Sequence, residues 1–408
     1  MTPQPLSLLY FSNAPVRGGV EEHILTLLRG LDRKLFRLHL VCPAECMEKL
    51  RPDLPPDVEA LPLTLDQPTQ LAAARRLAGI LRARQVDILH SHMFQASLFA
   101  SPLGWLSRAP VILETPHIRE SWRHGWLKGS FVVDRLVGHF VDYYIAVSEA
   151  NARYLVNDKG LPAKKIVVIQ NGCDLERFHP DRPAPLHLKQ SLGFDAGDPV
   201  LLVMARLEPQ KGHSVLLKAL PAIRAEFPRV RLVCAGEGSL RAGLEAEARD
   251  LGLEASARFV GHQANVMDWL ALADATVLPS HFEGLPLAAI ESLAAAKPMI
   301  ATAVDGTPEV VVNGKTGLTV PPGDVSALAA AICTLLRDPA LRRSLGQAGR
   351  QWVLDRFSRE GQIRRTEELY LRVWSEKQAR SKALGRRNPA LQERTKGLEA
   401  RLTSETRG

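Results

Sequence analysis

Short runs of strand-forming residues recur along this chain, each followed by a longer amphipathic segment, and few folds accommodate that alternation. In the first half the runs are LSLLYFS, FRLHLVC, VDILHSH, VILET, YYIAVS and IVVIQ. They are nearly continuous in apolar residues, which is the pattern of strands buried on both faces of a mostly parallel sheet. Segments such as VEEHILTLLRGL and LAAARRLAGILRAR, apolar at helical spacing, lie between them. A second set follows: PVLLVMA, VRLVCAG, ARFVG, ATVLPS, PMIATA and TGLTV. The intervening stretch NGCDLERFHPDRPAPLHLKQ carries Pro180, Pro183 and Pro185, with Pro199 further on, and reads as a linker. The expectation is two Rossmann-like, doubly wound α/β domains with parallel sheets, residues 1–178 and 179–356, facing an interdomain cleft. Ligands in such folds bind outside the carboxyl ends of the strands.

Length and composition agree with this. A chain of 408 residues is long enough for two domains, and 46% hydrophobic with 24% charged residues excludes a disordered or fibrous protein. No apolar run reaches the roughly 20 residues needed to span a bilayer. The nearest, FVVDRLVGHFVDYYIAV, is broken by Asp134, Arg135 and Asp142. The first residues, MTPQPLSLLYFS, lack the basic and apolar regions of an export leader, and five cysteines without a CxxC pair fit reduced thiols. A cytoplasmic protein is expected. Its net charge of +8 is concentrated at the end, where residues 376–408 hold nine Lys or Arg against four Glu. That segment reads as a basic, weakly ordered tail, either simply solvated or docking on an anionic surface. With no basic stripe interleaved with aromatics, nucleic acid is not expected as a partner.

The stretch HFEGLPLAAIESLAAA places Glu283 on a loop after a strand and Glu291 one to two turns into the next helix. Pro286 marks the helix start, so the N–H groups around Leu287 and Ala288 face the loop with the positive end of the helix dipole, where an anion is favoured. Amides for a phosphate and a carboxylate for each flanking set of hydroxyls describe a sugar nucleotide; a turn residue and a solvated helix position would also account for the two glutamates. In MARLEPQKGHSVLLKAL, Arg206 ends a strand, Lys211 stands at the mouth of the next helix, and Gly212 eases the backbone into it. Fixed cations there would stabilise the charge that develops on a departing diphosphate, without a metal. In NAPVRGGVEEH, Gly18 and Gly19 separate strand from helix, either for close approach to a phosphate or as a tight turn.

Three other features bear on function. His90 and His92 lie two apart at a strand end and point the same way, but no third ligand of suitable spacing is evident, so no metal is expected. His117 follows Pro116 at a strand terminus, as a site residue or a structural histidine bonded to backbone. GEGS at 236–239 resembles part of a dinucleotide fingerprint, yet it follows a strand of the second set and lacks the full pattern, which disfavours a dehydrogenase. The segment HIRESWRHGWLKGSFVVDRL joins Trp122, Arg123, His124, Trp126 and Lys128, which suits an acceptor wall, packed tryptophans or contact with a membrane.

Taken in order, RGGVEEH, DILHSHMFQA, ETPH, YYIAVSEA, QNGCDLERF, ARLEPQKG, CAGEGSLR, FVGH and HFEGLPLAAIES followed by KPMIATAVDGTPEVV resemble a retaining glycosyltransferase of the GT-B fold, glycosyltransferase family 4 (group 1). The resemblance runs to about residue 375. It implies that Glu283 contacts the donor sugar's hydroxyls, Glu291 the ribose, and Arg206 with Lys211 the diphosphate. Gly18 and Gly19 would touch the phosphates from the opposite domain, His117 would lie beside the sugar, and Val260 near the base. Gly284, Leu285 and Leu287 complete the implied donor-binding set; Glu283, Lys211, Arg206 and His117 form the catalytic one. A final helix, about 357–375, would pack back on the first domain.

The activity so implied moves a sugar from a UDP- or GDP-sugar to a glycan or lipid-linked acceptor in cell-envelope or polysaccharide biosynthesis. It would need no cofactor or metal and would attack on the face the leaving group vacates, and the protein would have possible peripheral contact with an anionic membrane. Two other classes fit parts of the pattern: a sugar-nucleotide-binding subunit without turnover, and an enzyme such as an epimerase that modifies the sugar nucleotide itself.

Overall fold

A computed structural model describes residues 4–15, 17–120, 123 and 129–383. The chain divides into two compact units. Residues up to Ile169 together with those from Gln362 onward form the first, and Gln170–Gly361 form the second.

The first unit is built on a sheet of seven parallel strands: β1 (Leu6–Ser12), β2 (Phe36–Cys42), β3 (Glu59–Pro62), β4 (Ile88–His92), β5 (Val111–Thr115), β6 (Tyr143–Ala146) and β7 (Ile166–Val168), in the order β3-β2-β1-β4-β5-β6-β7. The second holds six parallel strands: β8 (Val200–Met204), β9 (Arg231–Ala235), β10 (Ala257–Gly261), β11 (Ala275–Leu278), β12 (Met299–Thr302) and β13 (Gly317–Val320), in the order β10-β9-β8-β11-β12-β13. In each sheet the strand order reverses once, between β1 and β4 and between β8 and β11. Such switch points open a crevice at the carboxyl ends of the two strands.

Each apolar run picked out in the sequence forms a strand. The remaining strand, β3, is short, half-buried and closed by Pro62 at the sheet edge, where a missing N–H is tolerated. Two apolar layers cover the first sheet. One joins Leu6, Leu8 and Tyr10 of β1 to the helix Gly19–Gly30 and to Leu369, Tyr370, Val373 and Trp374 of the last described helix, Arg359–Ala383. A Cβ on Gly30 would sit 2.0 Å from the Ile363 Cδ1, so a larger residue there would force the Ile363 side chain to move. The other layer joins Leu9 and Phe11 to Leu77, Leu81 and Ala100. The last helix continues to Ala383 instead of stopping near residue 375. The stretch 170–178, expected to close the first domain, is held within the second unit by Asn171, which donates to the Leu285 carbonyl, and by buried Phe178.

Buried charge also shapes the first unit. Arg123 donates to Glu120 at 2.7 Å and to Asp134 at 2.5 Å, and Lys159 pairs with the same two carboxylates at 2.9 and 2.6 Å. The rings of Phe94 and Phe131 lie 4.8 and 4.4 Å from the Arg123 guanidinium. This places Arg123 inside the fold, so of the alternatives left open for its segment Arg123 follows the packed one. Trp122, His124, Trp126 and Lys128 lie outside the described residues. Glu114, on β5 beside this cluster, has its pKa raised to about 7, chiefly by burial and partly offset by Lys159.

A carboxyl raised from 4.5 to about 7 on folding binds its proton more tightly in the folded state, so it costs stability as pH rises from 4.5 through 7. Replacing Glu114 with Gln should therefore leave stability near pH 4.5 little changed and raise it at pH 8 by up to roughly 3 kcal/mol. Urea denaturation at the two pH values measures this; an equal effect at both would show that Glu114 does not titrate in this window.

Candidate functional site

The switch point of the second sheet gathers several of the singled-out residues. β8 ends at Met204 and leads through exposed Arg206 to a short 3-10 turn, Pro209–Lys211. β11 ends at Leu278 and leads to the loop carrying Glu283. Across these two ends the Lys211 ammonium donates to the Glu283 carboxylate at 2.6 Å. Glu283 is only 4% exposed, and the Ser280 hydroxyl donates to the same oxygen at 2.7 Å. Its backbone N–H donates to the Asp305 carboxylate at 2.9 Å, while Asp305 itself holds a left-handed φ of 42°. Thr302 fastens the loop from below by donating to the Ser280 carbonyl at 2.5 Å.

Gly212 makes this pairing possible. Its φ is +64°, and a Cβ there would lie 2.0 Å from the Pro279 carbonyl oxygen at the end of β11. Only glycine combines that conformation with so close an approach, and the approach brings Lys211 up to the neighbouring loop. Burial and the Lys211 charge push the adjacent His213 down to about pKa 4, so that imidazole is neutral at pH 7. The Arg206 guanidinium, by contrast, makes no hydrogen bond or ion pair among the described residues. The site thus presents one cation engaged by a carboxylate and one open to a ligand.

The helix after the loop runs Leu287–Ala294, with Pro286 capping it. Ala289 and Ile290 donate to the Pro286 carbonyl, so the amides of Leu287 and Ala288 precede the first intrahelical donors and lie at the positive helix end. Gly284 and Leu285 are buried behind Glu283, and the Leu285 carbonyl accepts from Asn171 at 3.2 Å. Glu291 is half-buried on the same helix, and its charge raises the pKa of Cys173, after burial as the larger cause. Val260 lies on β10, where its carbonyl accepts from Gln263 at 2.6 Å. The GEGS turn after β9 is structural in this setting: Ser239 donates through both its N–H and its hydroxyl to Glu208.

In the first unit, the loop after β1 leads to Gly18 and to exposed Gly19, where a Cβ would meet nothing within 4 Å. The Gly18 N–H donates to the buried Glu21 carboxylate at 3.0 Å, which fixes the start of the helix. That helix also supplies His23, which the sequence reading had left without a part. His23 stacks edge-on to His117 with ring centroids 4.7 Å apart. His117, 5% exposed just beyond β5, shares a hydrogen bond of 2.9 Å between its Nε2 and the Nδ1 of His92.

His90 and His92 divide differently from the pair expected. The His90 nitrogens are both engaged, Nδ1 with the Tyr370 hydroxyl at 2.6 Å and Nε2 with the Thr115 hydroxyl at 2.7 Å. A third histidine does reach His92: ligand atoms of His23, His92 and His117 lie within 4.8 Å of one another. The proton shared by His92 Nδ1 and His117 Nε2 occupies a lone pair that a metal would need, so the arrangement orients His117 better than it chelates. Burial first, then the neighbouring imidazoles, holds His90, His92 and His117 well below the usual histidine pKa, so all three are neutral at pH 7.

Comparison with known proteins decides the family. The model for glycosyl transferases group 1 matches residues 187–352, and that for Glycosyltransferase Family 4 matches residues 17–177. The glycogen synthase of Mycobacterium tuberculosis is 32% identical over 303 residues, covering 72% of this chain and 70% of that protein. The chain belongs to glycosyltransferase family 4. Another relative of this family 4 protein, a GDP-mannose-dependent mannosyltransferase of Mycolicibacterium smegmatis acting on phosphatidylinositol monomannoside, is 32% identical and covers 72% of this chain and 78% of its own length. The fold matches that of HepE from Anabaena, crystallised with UDP-glucose, at a TM-score of 0.79 and 21% identity over 89% of this chain and 99% of that one. It also matches WaaG, a glycosyltransferase of lipopolysaccharide biosynthesis, at a TM-score of 0.70 and 14% identity over 89% and 99% of the two chains. The architecture of this family 4 protein is GT-B.

Because Gly212 sets the approach of Lys211 to the neighbouring loop, Gly212→Ala should destabilise the protein by about 1–3 kcal/mol, the cost of a side chain in a strained conformation. Chemical denaturation measures the loss. An alanine variant as stable as the parent would show that the turn has room to relax.

Proposed function

We propose that this protein transfers a hexosyl group from a nucleoside-diphosphate sugar, a UDP- or GDP-sugar, to a glycan or lipid-linked acceptor, retaining the anomeric configuration and using no metal. The observation that carries the reading is the pair Lys211–Glu283 at the switch point of the second sheet, with exposed Arg206 on the adjoining strand end. A diphosphate carries the charge that Arg206, Lys211 and the amides at Leu287 are suited to receive. The sugar's hydroxyls are suited to Glu283, a carboxylate already aligned by Ser280 and by the N–H contact to Asp305. Glu291 takes the ribose hydroxyls and the backbone about Val260 the base; Gly284, Leu285 and Leu287 line the donor. Gly18, Gly19 and His117 keep the phosphate and sugar contacts that the family resemblance implies. Support comes from a relative whose name records dependence on GDP-mannose and from a fold neighbour crystallised with UDP-glucose.

In this mechanism donor binding turns Lys211 from Glu283 toward the diphosphate. As the glycosidic bond lengthens, negative charge collects on the leaving phosphate oxygen, where Arg206, Lys211 and the helix-end amides meet it without reorganising. The departing oxygen takes the proton of the acceptor hydroxyl on the same face of the sugar, and Glu283 holds the sugar without attacking it. His117, neutral and oriented by His92, is available as a hydrogen-bond partner rather than as a charge. The setting is cytoplasmic, at the inner face of the membrane where lipid-linked acceptors are elongated; no helix among the described residues is long and apolar enough to cross a bilayer.

The test begins with thermal shift against a panel of nucleotide sugars, since a ligand of the folded state raises the midpoint by mass action. With the donor so found, acceptor-dependent release of nucleoside diphosphate measures transfer. Lys211→Ala should lower that rate by about 100- to 1,000-fold at saturating donor, corresponding to ~3–4 kcal/mol of lost transition-state stabilisation. A parental rate would overturn the leaving-group assignment. Donor conversion without acceptor would indicate a sugar-nucleotide-modifying enzyme, and binding without release a non-catalytic subunit.

A further inference from the structure

The first unit carries an apolar surface that the transfer chemistry does not use. Among the described residues, Trp105, Leu106, Val132, Val133 and Leu136 are large, apolar and exposed, Trp105 by 60% and Leu136 by 59%. They come from two helices in contact, Phe94–Leu106 and Phe131–Val137, and the Trp105 ring meets that of Phe140 at 5.5 Å. These residues therefore form one patch.

The helix Phe131–Val137 is inverted relative to an ordinary surface helix, which buries its apolar stripe and turns charge to water. Here Asp134 is buried between Phe131 and Val137 and is held by Arg123 and Lys159, while Val132, Val133 and Leu136 face out. The buried ion pairs thus dictate which face is left to solvent. The charged groups on the outer side are cationic: residues 94–110 and 129–140 contain one acidic side chain, Asp134, already spent inside, against exposed Arg108 and Arg135 with His139 beside them.

We propose that this surface seats the protein on an anionic lipid bilayer. Apolar side chains, a tryptophan and basic residues together match the boundary between acyl chains and negative headgroups. A second copy fits less well, because a two-fold contact would set Arg108 and Arg135 against their own images with no acid on the face to pair them. Trp122 and Trp126, which lie outside the described residues, are not among the patch residues, and none of these belongs to the basic tail. The inference rests on the membrane setting proposed above and deepens it by naming the surface that docks; because docking requires no turnover, vesicle binding and sugar transfer fail separately.

The test is co-sedimentation of the full chain with vesicles of phosphatidylcholine alone and of phosphatidylcholine with 30% phosphatidylglycerol. The protein should sediment with the anionic vesicles and less with the neutral ones, and added salt should weaken binding. The double variant Trp105→Ser with Leu136→Ser should lower partitioning at least tenfold, with the circular-dichroism spectrum and melting midpoint confirming that it folds. Arg108→Glu should weaken binding to anionic vesicles and spare the neutral ones, and Leu71→Ser, an exposed leucine elsewhere, should bind like the parent. No binding by the parent, or undiminished binding by the double variant, would overturn the proposal. So would a dimer in light scattering that the double variant abolishes while vesicle binding is absent.

Discussion

An ion pair between Lys211 and Glu283 organises the second unit's strand ends. It crosses from the turn after β8 to the loop after β11, the two neighbours at which the strand order reverses. Glu283 is nearly fully buried while Lys211 keeps part of its side chain in water, and a buried carboxylate without a cation would be costly. Everything nearby serves to hold it. Gly212 permits the approach, Ser280 and Thr302 fasten the loop, and Asp305 takes the Glu283 N–H from an unfavourable left-handed backbone. Such a backbone conformation persists only where its surroundings over-determine it.

The first unit uses buried charge for another purpose. Its cluster of Arg123, Lys159, Glu120 and Asp134 joins the segment after β5 to the two helices that follow. Because every partner is satisfied inside, the helix Phe131–Val137 is tied down by its polar side and presents apolar residues outward. A few steps away the imidazoles of His23, His92 and His117 pack together, and the hydrogen bond with His92 fixes which way His117 faces. Polar groups thus set orientation in both units, while the sheets and their apolar layers provide the frame.

Much of that frame was legible in the sequence because strands buried on both faces have continuous apolar runs, as LSLLYFS and PVLLVMA do. The strand Glu59–Pro62 was not, since a short edge strand has neither alternation nor a long apolar run. Glu283, Lys211 and Arg206 could be picked out from strand, loop and helix order alone. Their pairing could not, because Lys211 and Glu283 are brought together only by the folding of separate strand ends. The buried place of Arg123 was not legible for the same reason: its partner Asp134, and Lys159 that shares that carboxylate, lie further along the chain. His23 had a signal, its place one turn into the helix after Gly18 and Gly19, but nothing local linked it to His117.

The central claim is that Glu283 serves the sugar and Lys211 the diphosphate, each holding the other until the donor arrives. Calorimetric titration of a Glu283→Gln variant, with the bare nucleoside diphosphate and with its sugar conjugate, separates the two roles. The account predicts that the bare diphosphate binds at least as tightly as to the parent, because Lys211 is released, while the sugar conjugate loses tenfold or more in affinity, about 1.4 kcal/mol. Equal weakening of both ligands, or unchanged binding of the sugar conjugate, would contradict it.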